Sequence, residues 1–162
     1  MQRESKIRRV EAVRARPVVE LLECPAPVGL ALNRSVKCLQ YRAGEVVFQQ
    51  AESCQGLYLL VSGRFVRAVT WDRGPASVAV AHPGELLELA AVLGDGRHGY
   101  TLKAQSAASA LLLPMEAVSR AFESYSPLRI HLLEELAREV SRAYYSCCSV
   151  RPLRGRRATS AA

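Results

Sequence analysis

The chain has 162 residues, 49% of them hydrophobic, and a formal net charge of +7. This length suits one domain with a substantial core, and the hydrophobic share excludes a disordered chain. No apolar run reaches the roughly 18 residues that a membrane span requires, and the basic N-terminus lacks the continuous apolar core of a secretory signal. We therefore expect a cytoplasmic protein that makes no membrane contact.

The positive charge is concentrated at the two ends of the chain. Residues 1–16 hold six arginines or lysines against two glutamates, and residues 151–157 hold four arginines and no acid. Each end contributes +4 to the total of +7, so the remainder sums to −1. These arginine-rich ends are expected to bind nucleic acid without sequence preference, or simply to keep the protein in solution.

Cysteine and histidine spacing gives no support for a metal site or for catalysis. The five cysteines are Cys24, Cys38, Cys54, Cys147 and Cys148. They form no C-x-x-C pair, which favours reduced thiols over an iron–sulfur site or a redox sensor. The three histidines, His82, His98 and His131, are widely spaced, whereas a cupin-type metal enzyme needs two or three histidines and a carboxylate at one ion. We predict no metal ligand and no catalytic residue.

The N-terminal region, residues 1–31, is predicted to be a basic helical segment. Ile7, Val10 and Val13 lie three residues apart, which is typical of a short helix. Prolines at positions 17, 25 and 27 interrupt it, and a further short helix is expected over residues 28–32.

From Lys37 the hydrophobic period changes from helical to strand-like. The predicted strands cover residues 38–41, 45–48, 57–61, 64–70, 76–81, 100–105 and 108–113. The Ser62-Gly63 pair is interpreted as a tight hairpin turn. Short, evenly spaced strands favour an antiparallel β-roll or jelly roll over residues 32–126, in a mainly β fold with helices (α+β).

The stretch from Pro83 to Ala104 carries the candidate site. A short helix is predicted over residues 89–93, followed by a Gly-rich loop at 94–96 and the basic pair Arg97-His98. Free backbone N–H groups in such a loop suit an anion or a small polar ligand. A plain connection with solvated charges is the simpler alternative, which the residues alone favour because one Gly-rich loop is a weak indication.

Two helices are predicted to end the fold, one over residues 116–122 and a long one over residues 127–150. The long helix has two apolar stripes. One stripe is Leu128, Leu132, Leu136 and Ala143, and the other is the seam Ile130, Leu133, Ala137, Val140, Tyr144 and Cys147. The first stripe is expected to pack on the roll and the seam on a second copy of the chain, giving a homodimer. Residues 151–162 are predicted to be a disordered arginine-rich tail.

Several segments together resemble the Crp/Fnr superfamily of bacterial transcription regulators. They are YRAGEVVFQQ, GLYLLVSGRFVRAV, PGELLELAAVLGDGRHGYTLKA, LLLPMEAVSRAF and the long final helix. The resemblance covers roughly residues 32–150. It implies a cyclic-nucleotide-binding-type β-roll that senses a small ligand, followed by a dimerisation helix.

The resemblance also indicates where a cyclic nucleotide would bind. Members that bind cAMP hold its ribose with a Gly-Glu pair and its phosphate with an arginine followed by a small residue. Counting forward from Gly84, the ribose glutamate position falls near Leu89, with Glu88 one place off. Counting back from Ala104, the arginine position holds His98, with Arg97 adjacent to it. Histidine lacks the charged two-pronged donor that arginine offers a phosphate. The candidate ligand-binding residues are Gly84, Glu85, Glu88, Leu89, Arg97, His98, Gly99 and Tyr144. We expect weak or no binding of cyclic nucleotides, with the actual ligand unidentified.

The C-terminus departs from the family pattern as well. Family regulators continue into a helix-turn-helix domain, whereas twelve residues, RPLRGRRATSAA, follow Val150 here. The sequence is therefore expected to be either a sensing and dimerising domain without a DNA-binding domain of its own or a truncated product of a longer regulator. The alternative is an adaptor that forms a heterodimer with a full-length relative through the long helix.

Overall fold

The computed structural model of the protein describes residue 20, residues 22–71 and residues 74–148. The predicted helix over residues 1–16 and the predicted tail lie outside this part. The elements are α1 Ala26–Ser35, β1 Lys37–Tyr41, β2 Val46–Phe48, β3 Gly56–Ser62, β4 Phe65–Trp71, β5 Gly74–Ala81, β6 Leu86–Leu87, α2 Leu89–Leu93, β7 Thr101–Ala104, β8 Ala108–Pro114, α3 Met115–Ser124 and α4 Pro127–Cys148. Within the described residues, no helix is long and apolar enough to cross a membrane.

The strands form two four-stranded sheets in the described part of the chain. Their orders are β1-β8-β3-β6 and β2-β7-β4-β5, and every neighbouring pair is antiparallel. Helices precede and follow the roll. The prediction of an antiparallel β-roll in an α+β fold is therefore confirmed.

Strands β3 and β8 are buried on both faces. Successive side chains of a strand point to opposite sides, and here each side meets a core cluster. Tyr58 and Leu60 of β3 belong to the core cluster that Phe48 and Phe65 of the second sheet also join. Leu57 and Leu59 belong to the second cluster, with the helices. This explains why the segment LYLLV is apolar throughout instead of alternating.

The turn at Ser62-Gly63 is not a hairpin, so that prediction is wrong. It connects β3 of one sheet to β4 of the other, and each strand pairs with other partners. Gly63 has a φ of +87°, and a Cβ atom there would lie 2.5 Å from the Cβ of Ala108. Glycine is required here because the chain passes close to Ala108 as it crosses from one sheet to the other. The sequence suggested a hairpin because a crossing between sheets and a hairpin use the same turn residues.

The helices cover the outer face of the first sheet. Leu32 of α1, Val118 of α3 and Leu128 and Leu132 of α4 are each at most 1% exposed and share one cluster. Leu89 of α2 joins the same cluster, so the short helix packs on the long one. The predicted packing of the Leu128 stripe against the roll is confirmed for Leu128, Leu132 and the partly buried Leu136, whereas Ala143 is exposed.

The remaining stripe of α4 is exposed. Ile130, Val140 and Tyr144 are 59%, 60% and 66% exposed, and Leu133 and Ala137 are exposed as well. The Cys147 side chain lies outside what the structure describes. On the same helix Arg138 donates to Glu135 at 2.8 Å and lies 3.9 Å from Glu134.

Candidate functional site

The centre of the site is a buried pair formed by Glu88 and His98. The Nδ1 atom of His98 lies 2.6 Å from Oε2 of Glu88, and both side chains are 1% exposed. The second carboxylate oxygen, Oε1 of Glu88, is buried and has no hydrogen-bond partner among the described residues.

The backbone at Glu88 has an unusual conformation that turns the side chain inward. Its φ of 75° and ψ of 20° lie in the left-handed region, which residues other than glycine rarely adopt. The residue sits between the end of β6 and the start of α2, and its carbonyl accepts a hydrogen bond from the N–H of Val92 at 2.9 Å. A strained residue at a buried polar pair is a feature of functional sites.

His98 is held by the pairing of two loops. The N–H of Ala51 donates to the His98 carbonyl at 2.8 Å, and the N–H of His98 donates to the Glu52 carbonyl at 3.0 Å. The N–H of Cys54 donates to the Gly96 carbonyl at 2.7 Å. This ladder brings Cys54 and His98 next to each other from loops that are more than forty residues apart in the sequence.

Aromatic rings enclose the pair. Phe48 stacks on the His98 ring with centroids 3.9 Å apart and planes 8° from parallel, and Tyr58 and Tyr100 flank Phe48. Burial raises the pKa of both tyrosines, and the nearby Glu88 carboxylate raises the pKa of Tyr100 further. A side-chain hydrogen bond with the Glu88 carboxylate is a further, smaller cause of the raised pKa of Tyr100.

Cys54 completes the cluster. Its thiol donates to the Gly56 carbonyl at 3.3 Å, and burial raises its pKa to about 11. One potential ligand atom from each of Cys54, Glu88 and His98 lies within 4.8 Å of the others. These three residues are the group in the described part of the chain that could hold a metal ion. The group contains a single histidine, which does not match the ligand set of a cupin-type enzyme.

A second polar cluster lies beside the first. Arg67 donates to Glu85 at 2.8 Å, and its guanidinium carbon lies 5.6 Å from the centre of the Tyr100 ring. Its Nε atom is buried without a hydrogen-bond partner in the described part. Glu85 also accepts a hydrogen bond from the N–H of His82 at 2.9 Å, which fixes the turn before β6.

Backbone N–H groups of the Gly-rich loop are engaged within the protein. Gly96 donates to the Ala91 carbonyl at 2.9 Å, and Arg97 donates to the side chain of Asp95 at 3.1 Å. With the His98 bond described above, three consecutive N–H groups therefore have internal partners. The guanidinium of Arg97 is exposed and donates to the Ala51 carbonyl at 2.8 Å.

The structure brings part of the predicted ligand-binding set together. Glu88 and His98 are in direct contact, Leu89 is buried in the helix-side core, and Glu85 lies in the neighbouring cluster. Gly84, Arg97 and Gly99 are exposed in their loops, and Tyr144 is exposed on α4.

Sequence reasoning missed Cys54, Phe48 and Tyr58 as neighbours of His98. Cys54 falls in a polar stretch that is typical of a surface turn, and its spacing to His98 matches no motif. The long-range pairing of the two loops brings Cys54 to His98, and the strands β2 and β3 carry Phe48 and Tyr58 there. Local spacing carries no information about such pairing.

Comparison with known proteins is consistent with this fold. The family described as Cyclic nucleotide-binding domain matches residues 38–125. No curated protein matches the chain. The sensor domain of the transcriptional regulator DNR from Pseudomonas aeruginosa is similar in structure, with a TM-score of 0.71, 19% identity, and 89% of this chain and 97% of that chain covered.

Two further solved structures are similar as well. The Thermus thermophilus catabolite activator protein has a TM-score of 0.63 and 28% identity, over 76% of this chain and 58% of that chain. The regulatory domain of Toxoplasma gondii PKA, solved with cAMP, has a TM-score of 0.66 and 14% identity, over 82% and 50%. Because the family match spans more than half of the 162 residues, the protein belongs to the cyclic nucleotide-binding domain family.

Proposed function

We propose that this chain is the sensing and dimerising domain of a Crp/Fnr-type transcriptional regulator whose cyclic-nucleotide pocket is degenerate. The role is one of binding, without catalysis. The observation that carries the proposal is the buried Glu88–His98 pair, which stands at the position where the resemblance expects the phosphate-binding arginine.

Electrostatics argue against a cyclic phosphate at this position. The phosphate is an anion and needs an unpaired cation, but His98 is already bonded to a carboxylate. A phosphate at this position would have to compete with the Glu88 carboxylate for the same imidazole. Breaking that contact would cost about 1.5–3 kcal/mol, which is the contribution of a charge-assisted hydrogen bond.

Calorimetric titration with cAMP and cGMP tests the proposal. We expect no binding in the micromolar range for either nucleotide. A dissociation constant in the micromolar range or tighter would contradict the degenerate pocket. In that case Arg97→Ala should abolish binding and His98→Ala should leave it intact, because Arg97 would be the remaining cation for the phosphate.

A reconstructed pocket provides the positive control. The double variant Glu88→Gly and His98→Arg removes the carboxylate and supplies the arginine that the resemblance expects at this position. It should gain at least tenfold in affinity for cAMP, whereas Glu88→Gly alone, which supplies no arginine, should gain nothing. Circular dichroism would establish that both variants are folded before the titrations are compared.

Dimerisation is proposed from the exposed seam of α4. Ile130, Leu133, Val140 and Tyr144 give the helix a second apolar face, and the first is already used by the roll. A row of large apolar side chains on one helix face is typical of a helix–helix interface. Light scattering of the wild-type chain should give twice the monomer mass. A monomer would favour the adaptor alternative, in which the seam meets a different relative, and a pull-down from the native cell would then identify it.

A further inference from the structure

We propose that Cys54, Glu88 and His98 form a binding site for a divalent transition-metal ion such as Zn²⁺. A thiol, a carboxylate and an imidazole from three separate segments converge with their ligand atoms within 4.8 Å of one another, and all three residues are buried. The inference goes beyond the proposed function and does not depend on it, because a degenerate nucleotide pocket is expected with or without an ion.

The strongest indication is the unsatisfied carboxylate oxygen. Oε1 of Glu88 is buried without a hydrogen-bond partner among the described residues, on a side chain that is 1% exposed. A buried polar atom of this kind needs a partner, and an ion held by the three converging ligand atoms would supply one. The neighbouring rings of Phe48, Tyr58 and Tyr100 provide the apolar wall that surrounds many metal sites.

The ligand types select the class of ion. Thiolate, imidazole and carboxylate together favour zinc and its borderline neighbours, and they disfavour Mg²⁺ and Ca²⁺, which prefer oxygen ligands throughout. Among the described histidine, cysteine and acidic residues, no fourth ligand joins the group. The fourth tetrahedral position is therefore left for water or a small molecule, as in zinc sites that bind a further ligand.

Binding exchanges one ion for two protons. The two protons are displaced from ligand atoms: one from the thiol of Cys54 and one from the hydrogen bond between Nδ1 of His98 and Oε2 of Glu88. The ion is then held by a thiolate, a carboxylate and a neutral imidazole, and the two anionic ligands neutralise its charge. Neighbouring ligand atoms of tetrahedral zinc are about 3.3 Å apart or more. The 2.6 Å contact between Nδ1 and Oε2 therefore lengthens as the ion replaces the shared proton.

The loop ladder controls access. Cys54 and His98 are held by the bonds between residues 51–54 and 96–98, and the ion reaches them only when this pairing opens. Metal exchange in the folded chain is therefore expected to be slow. For this reason the test loads the ion during refolding as well as by dialysis.

The experiment uses the full 162-residue chain and a variant in which Cys54 is the sole cysteine. In that variant Cys24, Cys38, Cys147 and Cys148 are replaced by serine, which leaves the site untouched. Each protein is refolded with one equivalent of Zn²⁺ or Co²⁺ and passed over a desalting column. Bound metal is measured by mass spectrometry, and the near-ultraviolet charge-transfer band reports a cobalt–thiolate bond.

The expected result is about one ion per chain and a cobalt–thiolate band in both proteins. Cys54→Ala should lose the band, while His82→Ala, which removes an exposed histidine, should keep it. Less than a tenth of an ion per chain in the wild type, or no band in the sole-cysteine variant, would overturn the proposal. Because the sole-cysteine variant keeps every ligand, the conclusion does not depend on whether Cys54→Ala folds. Failure here would leave the nucleotide titrations and the dimer unaffected.

Discussion

Glu88 combines two features that are each unfavourable in isolation. Its backbone is in the left-handed region, and its carboxylate is removed from water. Only the contact with His98 compensates the buried charge, so the two residues depend on each other. A buried pair of this kind contributes little net stability, but the loss of one member leaves an uncompensated polar group.

His98→Leu in chelator-treated protein should lower the free energy of unfolding by about 3–5 kcal/mol, because Glu88 is left buried without its partner. The double variant Glu88→Leu and His98→Leu should recover most of that loss, because an apolar pair needs no compensation. Urea denaturation measures both values. Arg97→Leu, an exposed neighbour, should stay within about 0.5 kcal/mol of the wild type. Equal destabilisation by the single and double variants would show that the pair is not coupled.

The thiol of Cys54 should be unreactive in the metal-free chain. With a pKa of about 11, about one thiol in a thousand is ionised at pH 8, and burial blocks the reagent as well. Iodoacetamide should therefore modify the exposed Cys38 at least about 100-fold faster than Cys54, as followed by peptide mass spectrometry. Since burial raises the pKa, the rate at Cys54 should rise about tenfold per pH unit until the pH approaches 11. Equal rates at pH 8 would contradict the burial of Cys54.

At the scale of elements, α4 shows how much the hydrophobic pattern alone establishes. Spacing by three and four predicted two stripes, and the structure buries Leu128 and Leu132 while it leaves Ile130 and Val140 exposed. The strand segments were likewise predictable, because alternation and turn residues are local properties. The crossing at Ser62-Gly63 was not, since pairing partners are set by residues distant in the sequence.

Val140→Glu should convert the dimer into a monomer. The substitution would place two carboxylates at the centre of the seam without partners, at a cost of several kcal/mol. Sedimentation velocity at micromolar concentration measures the change in mass. Arg138→Glu introduces the same side chain on the opposite face of the helix and should remain dimeric. A variant Val140→Glu that stays dimeric would place the interface elsewhere.

The candidate site was predictable only in part. The glycines and the family resemblance were enough to place the candidate site in the stretch from Pro83 to Ala104. They were also enough to identify His98 as a candidate ligand-binding residue. The contact of Glu88 with His98 depends on a left-handed backbone at Glu88, and Cys54 arrives through loop pairing. Neither the strained conformation nor the loop pairing has a local sequence pattern that predicts it.

At the scale of the molecule, the net positive charge is located in the two terminal segments, and the rest of the chain is nearly neutral. Residues 1–16 and 151–157 carry +4 each, and the rest of the chain sums to −1. Phosphate contacts are therefore expected from these segments, and the near-neutral body should not compete for them.

We expect the 162-residue chain to bind duplex DNA weakly, without sequence preference and with strong salt dependence. Up to four phosphate contacts by the tail arginines give a slope of roughly −3 to −4 for log K against log salt. Fluorescence anisotropy with several unrelated duplexes at low and moderate salt measures it. Replacing Arg151, Arg154, Arg156 and Arg157 by glutamine should remove most of this affinity at unchanged length. A thousand-fold preference for one duplex would contradict non-specific binding.

The pairing of β1 with β8 determines when the chain is able to fold during its synthesis. Lys37 lies opposite Leu112, so the first strand of the roll must wait for the last to leave the ribosome. Until then both β1 and the apolar β3 present open edges, since β8 lies between them. Nascent chains that stop before residue 114 should therefore bind chaperones and aggregate. Chains held on stalled ribosomes would test this expectation.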